Sequence, residues 1–304
     1  MKKTIRIGTR DSELALWQAN TVKSQLETLG YKTQLVPVKS EGDLVLDKPL
    51  YEMGITGIFT KTLDVAMING IVDIAVHSMK DVPTLLPRGI VQNAVLERAT
   101  SEDILVTQTD VDFEKTCTIA TGSLRRQAQW LHRYPNHKVV DLRGNVNTRL
   151  QKLKDNKWEG AIFAKAGLER IDVLPEKFIP LDWMIPAPAQ GAMVIVAMEN
   201  DEYSREATSK LNHFSSEICT HIEREFLNVL EGGCTAPIGA YAEIVGDKIL
   251  FKGCLFSLDG KEKLEIERDV ERTDYKGFGR ECALDILKNG GKELMVKIKT
   301  LSSK

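Results

Sequence analysis

The sequence predicts an α/β fold in which helices cover parallel sheets, followed by a smaller α+β domain. In the first two-thirds of the chain, short apolar runs alternate with amphipathic stretches, as in TIRIG followed by SELALWQANTVKSQLETLG. This alternation is typical of βα units, in which helices pack on the faces of a sheet. The length of 304 residues exceeds what one hydrophobic core usually supports, so two or three domains are expected.

The same alternation continues as far as the middle of the chain. Strands are predicted at TQLVPV, DIAVHS, DILVT, TIATGS, KVVDLRG and GAIFAKAG, and helices at FTKTLDVAMING, LRRQAQWLHRY and NVNTRLQKLKDN. Pro180, Pro186 and Pro188 then interrupt the pattern before the apolar run GAMVIVAM. Because proline disrupts both helices and sheets, we place a crossover between domains at this point.

The pattern changes from about Leu211 onward. One long helical segment, HFSSEICTHIEREFLNVLEGG, precedes three predicted strands, IGAYAEIV, KILFKGCLFS and KLEIERDV, and then a helix around ALDILKNG. Strands that follow one another without intervening helices favour an antiparallel sheet with helices on one side. The C-terminal part of the chain is therefore predicted to be the α+β domain.

Composition and charge argue against several classes of protein. The chain has 41 basic and 43 acidic side chains and a formal net charge of −2, which predicts neither a nucleic-acid nor a membrane partner. The start of the chain, MKKTIRIGTR, lacks the apolar core of a secretory signal. The five cysteines are few, odd in number and widely spaced, so neither a disulfide framework nor a zinc site is implied. We expect a cytoplasmic protein.

Polar residues follow four of the apolar runs, where ligands bind at the carboxyl ends of strands in open α/β sheets. They are Thr9, Arg10 and Ser12, then Ser78, Lys80 and Asp81, then Thr121, Ser123, Arg125 and Arg126, and finally Arg143 and Arg149. A single arginine is usually a solvated surface charge. Five arginines at strand-to-helix junctions, however, predict a cleft that binds several carboxylates or phosphates.

Phosphate ligands are disfavoured in this cleft. The chain has no GxxxxGK[ST] loop, and GxGxxG does not follow any predicted strand, so a nucleotide is not indicated. No acidic cluster that would bind a metal accompanies the arginines. We therefore expect a small molecule with several carboxylates as the ligand, and no metal.

The stretch HSMKDVP, His77 to Pro83, allows two interpretations. Asp81 either caps a turn, with Lys80 as its salt-bridge partner, or holds and protonates a cationic or N–H-bearing substrate. His77 lies within the predicted strand and is expected to be a core residue. The sequence alone leaves both interpretations of Asp81 open.

Two further stretches differ from ordinary core sequence. The segment from Ser40 to Lys61 lies between a strand and a helix, and its length and three glycines predict a mobile cover over the cleft. In LEGGCTAPIG, Cys234 follows Gly232 and Gly233. Bare backbone next to a thiol predicts access rather than packing.

Six of these stretches together resemble the porphobilinogen deaminase family from end to end. They are IGTRDSELALWQA, HSMKDVP, TGSLRRQAQ, LRGNVNTRL, PAPAQGA and LEGGCTAPIGAYA, in the family's order and approximate spacing. The resemblance implies a transferase of porphyrin and heme biosynthesis. This enzyme joins four porphobilinogen molecules head to tail, with loss of ammonia, into the linear tetrapyrrole hydroxymethylbilane. It also implies a covalent dipyrromethane cofactor, made from the enzyme's own substrate and attached through a thioether to Cys234.

The resemblance further implies a domain plan and an assembly state. Two domains similar to periplasmic binding proteins flank the cleft, and a third presents the cofactor cysteine on a loop. The chain crosses twice between the first two domains, which gives residues 1–97 and 191–211 for the first, 98–190 for the second and 212–304 for the third. A cytoplasmic monomer that binds the small molecule porphobilinogen is expected.

Site residues follow from the resemblance by matching motifs. Asp81 is the catalytic carboxylate, which hydrogen-bonds pyrrole nitrogens and stabilises the positive charge that forms when ammonia leaves. Residues implied to bind the cofactor are Cys234, Lys61, Lys80, Asp81, Thr121, Ser123, Arg125, Arg126 and Arg149. Residues implied to bind substrate or the growing chain are Arg10, Ser12, Gln18, Arg143, Arg170 and Gln190.

The chain departs from the family's pattern at three positions. Thr56 stands where the lid commonly has a lysine, Gly122 where a serine is common, and Ala189 where a glycine often precedes Gln190. The lysine replacement puts one lid contact in doubt. We expect altered tuning rather than lost activity, because Asp81 and the arginines are present.

Two other classes of function remain open from the residues alone. A non-enzymatic two-domain protein that captures a polycarboxylate would use the same arginines but leaves Cys234 and Asp81 without a role. A cysteine hydrolase or acyltransferase would pair Cys234 with His77 or His221, although no local motif supports such a triad.

Overall fold

The computed structural model describes residues 3–38, 60–230 and 236–302. In these residues the strands are β1 (Thr4–Thr9), β2 (Lys32–Pro37), β3 (Ile74–Ser78), β4 (Ile90–Val95), β5 (Asp103–Thr107), β6 (Thr118–Ala120), β7 (Lys138–Val140), β8 (Gly160–Ala164), β9 (Phe178–Pro180), β10 (Met193–Met198), β11 (Ile238–Val245), β12 (Lys248–Phe256) and β13 (Lys263–Glu271). The helices are α1 (Glu13–Thr28), α2 (Lys61–Ile68), α3 (Leu124–Arg133), α4 (Val146–Asp155), α5 (Lys165–Glu169), α6 (Glu202–Ser209), α7 (Phe214–Val229), α8 (Phe278–Ile286) and α9 (Lys292–Ser302).

The first sheet has five strands in the order β2, β1, β3, β10, β4. Strands β1, β2 and β3 are parallel, whereas β10 runs antiparallel to both β3 and β4. Separate apolar clusters lie on its two faces, one around Ile7 and Val22 of α1 and the other around Leu63 of α2 and Val194. Burial on both faces explains why the central strands β3 and β10 are nearly continuous apolar runs in the sequence.

The second sheet repeats this plan in the order β7, β6, β8, β5, β9. Strands β6, β7 and β8 are parallel, and β5 is antiparallel to β8 and β9. Here too apolar clusters lie on both faces, one around Phe163 and Leu153, the other around Trp130 and Leu105. The mixed α/β class predicted from the sequence is confirmed, but each sheet contains an antiparallel strand. These strands, β5 and β10, are the first to enter their sheets after the chain passes from one sheet to the other.

The third sheet is an antiparallel meander of β11, β12 and β13. One face packs on α7, α8 and α9 through Ile222, Phe226 and Phe251, while the other bears cross-strand ion pairs such as Lys252 with Glu267. This one-sided burial is the alternation that the sequence shows in β12 and β13. The predicted α+β C-terminal unit is confirmed. No helix among the described residues is long and apolar enough to cross a membrane.

The two segments that connect the first and second sheets lie against each other. Ala99 donates its backbone N–H to the carbonyl oxygen of Gly191 at 3.2 Å. A Cβ on Gly191 would lie 2.6 Å from the carbonyl oxygens of Ala99 and Thr100, and its φ is +87°. Ala189, two residues earlier, also has a positive φ, +62°. A left-handed conformation is unstrained for glycine and costs about 1–2 kcal/mol for other residues, so the alanine at 189 stores strain at this junction.

Close packing of α8 on α7 gives a stability prediction. A Cβ on Gly279 would overlap the carbonyl oxygen of Ile222 on α7. Because backbone cannot move aside as a side chain can, Gly279→Ala is expected to lower the free energy of unfolding by about 1–3 kcal/mol. Thermal unfolding measures the effect, with Arg280→Ala on the exposed side of the same helix as control. Equal midpoints for both variants would contradict the packing described.

Candidate active site

The first part of the site is the turn that follows β3. The chain leaves the sheet at Ser78 and forms a single 3-10 turn, Met79–Asp81, which places Lys80 and Asp81 at the sheet edge with both side chains partly exposed. His77, the last buried residue before it, is 6% exposed, and its Nε2 has no hydrogen-bond partner. Burial, helped by the charge of Arg10, lowers the pKa of His77 to about 3, so this imidazole is neutral. It is a core residue, as predicted.

The second part is the N-terminus of α3. The hydroxyl of Thr121 accepts from the backbone N–H of Ser123 at 3.2 Å, and the hydroxyl of Ser123 caps the helix by accepting from the N–H of Arg126 at 3.5 Å. This capped turn places Arg125 and Arg126 on the first turn of the helix. A Cβ on Gly122 would lie 2.6 Å from the carbonyl oxygen of Leu142, which explains why glycine suits this backbone.

A buried carboxylate that the sequence analysis did not single out organises these arginines. Asp103, at the start of β5, is fully buried. Its Oδ2 lies 2.7 Å from Nη1 of Arg125, and its Oδ1 accepts from Nε of Arg126 at 2.9 Å. Burial opposes ionisation, but the charges of Arg125 and Arg126 outweigh it and hold the pKa of Asp103 well below its usual range. Asp103 is therefore a permanent anion beneath the two arginines.

Gln190 connects this carboxylate to the Asp81 turn. Its Nε2 donates to Oδ1 of Asp103 at 3.0 Å and to the carbonyl oxygen of Ser101 at 2.7 Å. Its Oε1 accepts from Nζ of Lys80 at 3.1 Å. Burial, and then the charge of Arg126, lowers the pKa of Lys80 to about 8. The structure thus brings together residues from the first and second sheets that the sequence predicted separately.

The remaining cations of the cluster have few partners. Arg149, on α4, donates from Nε to the carbonyl oxygen of Gly144 at 2.7 Å, and burial followed by the charge of Arg126 lowers its pKa to about 10. Arg143 is 4% exposed, and its Nη1 has no hydrogen-bond partner among the described residues. The charge of Asp81 acts in the opposite sense and raises the pKa values of Lys80, Arg126 and Arg149. Asp81 therefore faces the cluster.

Charge balance in this cluster fits ligands with several carboxylates. Its cations are Lys80, Arg125, Arg126, Arg143 and Arg149, and the anions that act on them are Asp81, Asp103 and Asp141. A surplus of partly or fully buried positive charge is unfavourable unless anions neutralise it. The unpartnered Nη1 of Arg143 and the lowered pKa values of Lys80 and Arg149 are the local signs of that surplus. Carboxylates, such as those of a dipyrromethane, fit this donor set.

Four other predicted residues lie near the crossover or at the first sheet. Gln18 donates to the hydroxyl of Ser78 at 2.8 Å, directly before the Asp81 turn. Arg170 donates to the carbonyl oxygen of Gly191 at 2.6 Å, lies 5.7 Å from the ring of Trp17, and has its pKa lowered to about 10 by burial. Arg10 follows β1, and Ser12 is the N-cap residue of α1 without a side-chain capping bond.

Three predictions fall at the edge of, or outside, what the structure describes. Lys61 begins α2 with an exposed side chain, and no hydrogen bond of the described residues joins it to the cluster. The predicted cover, apart from Thr60 and Lys61, lies outside the described residues, and so does Cys234. Residues 3–38, 60–230 and 236–302 contain no group of side chains able to hold a metal ion.

A second buried carboxylate was also missed by the sequence analysis. Glu223, on α7, is fully buried and binds Arg98 through two contacts, of 2.6 and 3.2 Å. It also accepts from the backbone N–H groups of Ala189 at 2.6 Å and Ala242 at 2.8 Å. Arg98 in turn donates to the carbonyl oxygen of Gln190 at 2.8 Å. The only sequence signal was an acid at an apolar-face position of HIEREF, next to Ile222.

The fold and the site together define a class. This is a multidomain α/β protein whose first two sheets carry a basic site for a ligand with several carboxylates, and whose third sheet contacts that site through α7. The sequence comparisons refine this class. The family model described as "Porphobilinogen deaminase, dipyromethane cofactor binding domain" matches residues 5–206, and "Porphobilinogen deaminase, C-terminal domain" matches residues 217–288. The chain belongs to the porphobilinogen deaminase family.

Individual relatives agree with this assignment. Porphobilinogen deaminase of Campylobacter hominis is 39% identical, covering 98% of this chain and 99% of the relative. The Campylobacter jejuni protein of that name is 41% identical over 97% and 98%, and the Nitratiruptor protein 40% over 99% and 98%. An ancestral cationic amino acid solute binding protein matches 68% of this chain and 87% of its own with 14% identity and a TM-score of 0.42. That weak likeness adds nothing to the assignment.

The Asp103 pair gives a stability prediction with a pH signature. Asp103→Asn leaves Arg125 and Arg126 buried without their anion, so the free energy of unfolding is expected to fall by about 3–5 kcal/mol. The lowered pKa of Asp103 means that its contribution is present above its unfolded pKa of about 4 and is lost as the pH falls below that value. Thermal midpoints between pH 7 and pH 3 should therefore fall less steeply in the variant than in the wild type. Asp182→Asn, at an exposed position, is the control, and identical behaviour of the two variants would contradict the assignment.

Proposed function

We propose that this chain condenses four porphobilinogen molecules head to tail, with release of ammonia at each step, into hydroxymethylbilane. The observation that carries the proposal is the surplus of positive charge around Asp81, in a chain that belongs to this family. Each porphobilinogen brings two carboxylates and an amine leaving group. Cations that neutralise the carboxylates and one carboxylate that faces the reacting carbon are what such a substrate requires.

Asp81 is proposed as the catalytic group. Its carboxylate lies at the sheet edge, partly exposed, and its charge acts on Lys80, Arg126 and Arg149. A carboxylate held there stabilises the cation that develops on the substrate when ammonia leaves, and in its protonated form it can deliver a proton to the departing amine. A turn cap would need the Asp81 carboxylate to accept from a nearby backbone N–H, but the N–H that follows it, that of Val82, donates to the carbonyl oxygen of Met79 instead.

We propose two groups of basic residues, which differ in whether an acidic side chain of the protein already pairs with them. Arg125 and Arg126 are paired with Asp103, so they shape the wall and offer only their remaining N–H groups. Lys80, Arg143 and Arg149 lack an acidic partner of this kind and are proposed to bind ligand carboxylates. Other cofactor-side positions are Lys61, Thr121 and Ser123, and the substrate-side positions are Arg10, Ser12, Gln18, Arg170 and Gln190.

Cys234 is proposed to anchor the dipyrromethane through a thioether, which supplies the first pyrroles to which the substrate is added. Helix α7, which contacts the site through Glu223, ends at Val229, shortly before this cysteine. A hydrolase with His77 as base is disfavoured because this imidazole is buried beside Arg10 and has a pKa of about 3. His221 is paired with Glu225 at 3.1 Å on the outside of α7.

We also propose the domain boundaries, the cellular compartment and the assembly state of the protein. Boundaries near residues 97, 190 and 211 are supported by the sheets, since β10 belongs to the first sheet and β5 to β9 lie in the second. A reducing cytoplasm is supported by the cysteines of the described residues, Cys117, Cys219, Cys254 and Cys282, which are all free thiols. A monomer is proposed, and light scattering on the purified protein tests it.

Intact-protein mass spectrometry tests the covalent cofactor. The purified chain should exceed its sequence mass by two linked pyrrole units, and Cys234→Ser should remove this adduct completely, because serine has no thiolate to form the thioether. Cys117→Ala is the control and should keep the adduct. An unmodified but fully active wild-type protein would contradict the proposal.

The titration of Lys80 tests whether carboxylates occupy the cluster. Without cofactor, its pKa of about 8 leaves a neutral amine at pH 9, which reacts with acylating reagents. Bound carboxylates stabilise the ammonium form, so the pKa should rise towards the ordinary value of 10.5 and labelling at pH 9 should fall. Labelling of the Cys234→Ser protein is compared with that of the adduct-bearing protein, with exposed Lys276 as the internal control. Equal labelling of Lys80 in both proteins would argue against carboxylates at this position.

A further inference from the structure

An arginine from the third unit holds the backbone of the Asp81 turn. Arg224, on α7, donates from Nη1 to the carbonyl oxygen of Val82 at 2.9 Å and to that of Met79 at 3.3 Å. Its Nη2 donates to the carbonyl oxygen of Pro83 at 2.6 Å. These three carbonyls lie on both sides of Asp81 along the chain, so one rigid guanidinium joins the two ends of the turn.

The turn has few other anchors of its own. Sheet pairing ends at Ser78, where β3 stops. Beyond it, Met79 donates its N–H to the carbonyl oxygen of Ala192 at 3.0 Å, and Val82 donates to that of Met79 at 3.2 Å. Pro83 has no N–H to donate. Carbonyl groups that are withdrawn from water need donors, and Arg224 supplies them for this segment.

The contacts of Arg224 differ from those of a stabilising ion pair. No carboxylate among the described residues lies within ion-pair distance of it, and burial alone lowers its pKa to about 10. The neighbouring residue Glu223 pairs with Arg98 instead. A buried guanidinium without a counter-charge costs free energy that three carbonyl bonds offset, so its fixed, planar geometry is what distinguishes it from a smaller or apolar residue.

We propose that Arg224 is a positioning residue that fixes the catalytic carboxylate of Asp81 from the helix that leads to Cys234. The expected effect on kcat rests on the proposed function, whereas the expected effect on the structure of the turn does not. It assigns Arg224 no contact with substrate, because its guanidinium is used on the backbone behind the turn. The same helix, α7, thereby leads to the attachment point of the cofactor and holds the turn that carries the catalytic carboxylate.

The kinetic experiment compares Arg224→Met and Arg224→Lys with the wild type. Methionine keeps much of the volume but donates nothing, and lysine reaches one carbonyl at a time. A displacement of about 1 Å at a reacting group can cost about 10²-fold in rate, so kcat of Arg224→Met should fall by about 10²-fold and that of Arg224→Lys by about 10-fold. KM should change less than about threefold, because Lys80, Arg143 and Arg149 keep their own anchors. Each rate is divided by the fraction of protein that carries the adduct, which mass spectrometry measures.

A double-mutant cycle with Asp81→Glu separates positioning from general destabilisation. If Arg224 acts through Asp81, Arg224→Met should cost much less in the Asp81→Glu background, where the carboxylate is already displaced. Ile298→Ala, at a buried position of α9 in the same unit, is the matched control, since it destabilises this unit away from Arg224 and should keep kcat per holoenzyme. An equal loss of kcat in both Asp81 backgrounds, or wild-type kcat in Arg224→Met, would overturn the proposal. If Arg224→Met does not fold, Arg224→Lys carries the cycle.

Amide hydrogen exchange gives a readout that does not depend on activity. Loss of the guanidinium should speed exchange at Met79 and Val82 by at least about tenfold in Arg224→Met, and Ile298→Ala should leave these amides unchanged. Unchanged exchange at the turn overturns the positioning role whether or not the wild type converts porphobilinogen. Faster exchange together with a wild type that lacks the adduct and is inactive would retain the structural role and refute the proposed function instead.

Discussion

The carboxylate of Asp103 makes the rest of the basic site physically possible. Without an anion beneath them, Arg125 and Arg126 would bring two positive charges into the protein with no compensation, and burial would force a rearrangement. Asp103 offsets one of these two charges and also accepts from Gln190, which holds Lys80. One side chain at the start of β5 thus sets the wall of the second sheet and its connection to the Asp81 turn of the first.

The cluster therefore has two layers with different roles. In the inner layer, Arg125 and Arg126 share the single negative charge of Asp103 and donate to backbone carbonyls of Ile185 and Ile162. The charges of nearby carboxylates offset only part of the charge of the outer cations, and burial shifts the pKa values of two of them, Lys80 and Arg149, downward. A ligand carboxylate entering the outer layer restores their charged forms, so part of the binding free energy comes from relieving this imbalance.

Local rules of sequence locate Asp81 and the cations of both layers, but they miss the buried carboxylates Asp103 and Glu223. Residues after apolar strands include Asp81 and the arginines because topology alone brings strand ends to one edge. Asp103 and Glu223 are found only in the folded chain, since Asp103 pairs with arginines more than twenty positions away and Glu223 with Arg98, 125 positions away. Neither carries a local pattern beyond an acid in an apolar setting. The sheet class was predictable from periodicity, whereas the antiparallel direction of β5 and β10 depends on where the chain crosses.

Helix α7 carries two buried charged residues, Glu223 and Arg224, whose role is to fix positions rather than to add net stability. Successive residues on a helix point about 100° apart, so Glu223 and Arg224 reach different parts of the protein from adjacent positions. Glu223 binds the crossover through Arg98 and the N–H of Ala189, and Arg224 binds the carbonyls around Asp81. Apolar side chains could fill the same volume at a lower cost in free energy, but they would allow α7 to slide against the segments that it contacts. Directional bonds to backbone on two sides do not allow such movement, and the helix that they fix ends at Val229, five positions before Cys234 in the sequence.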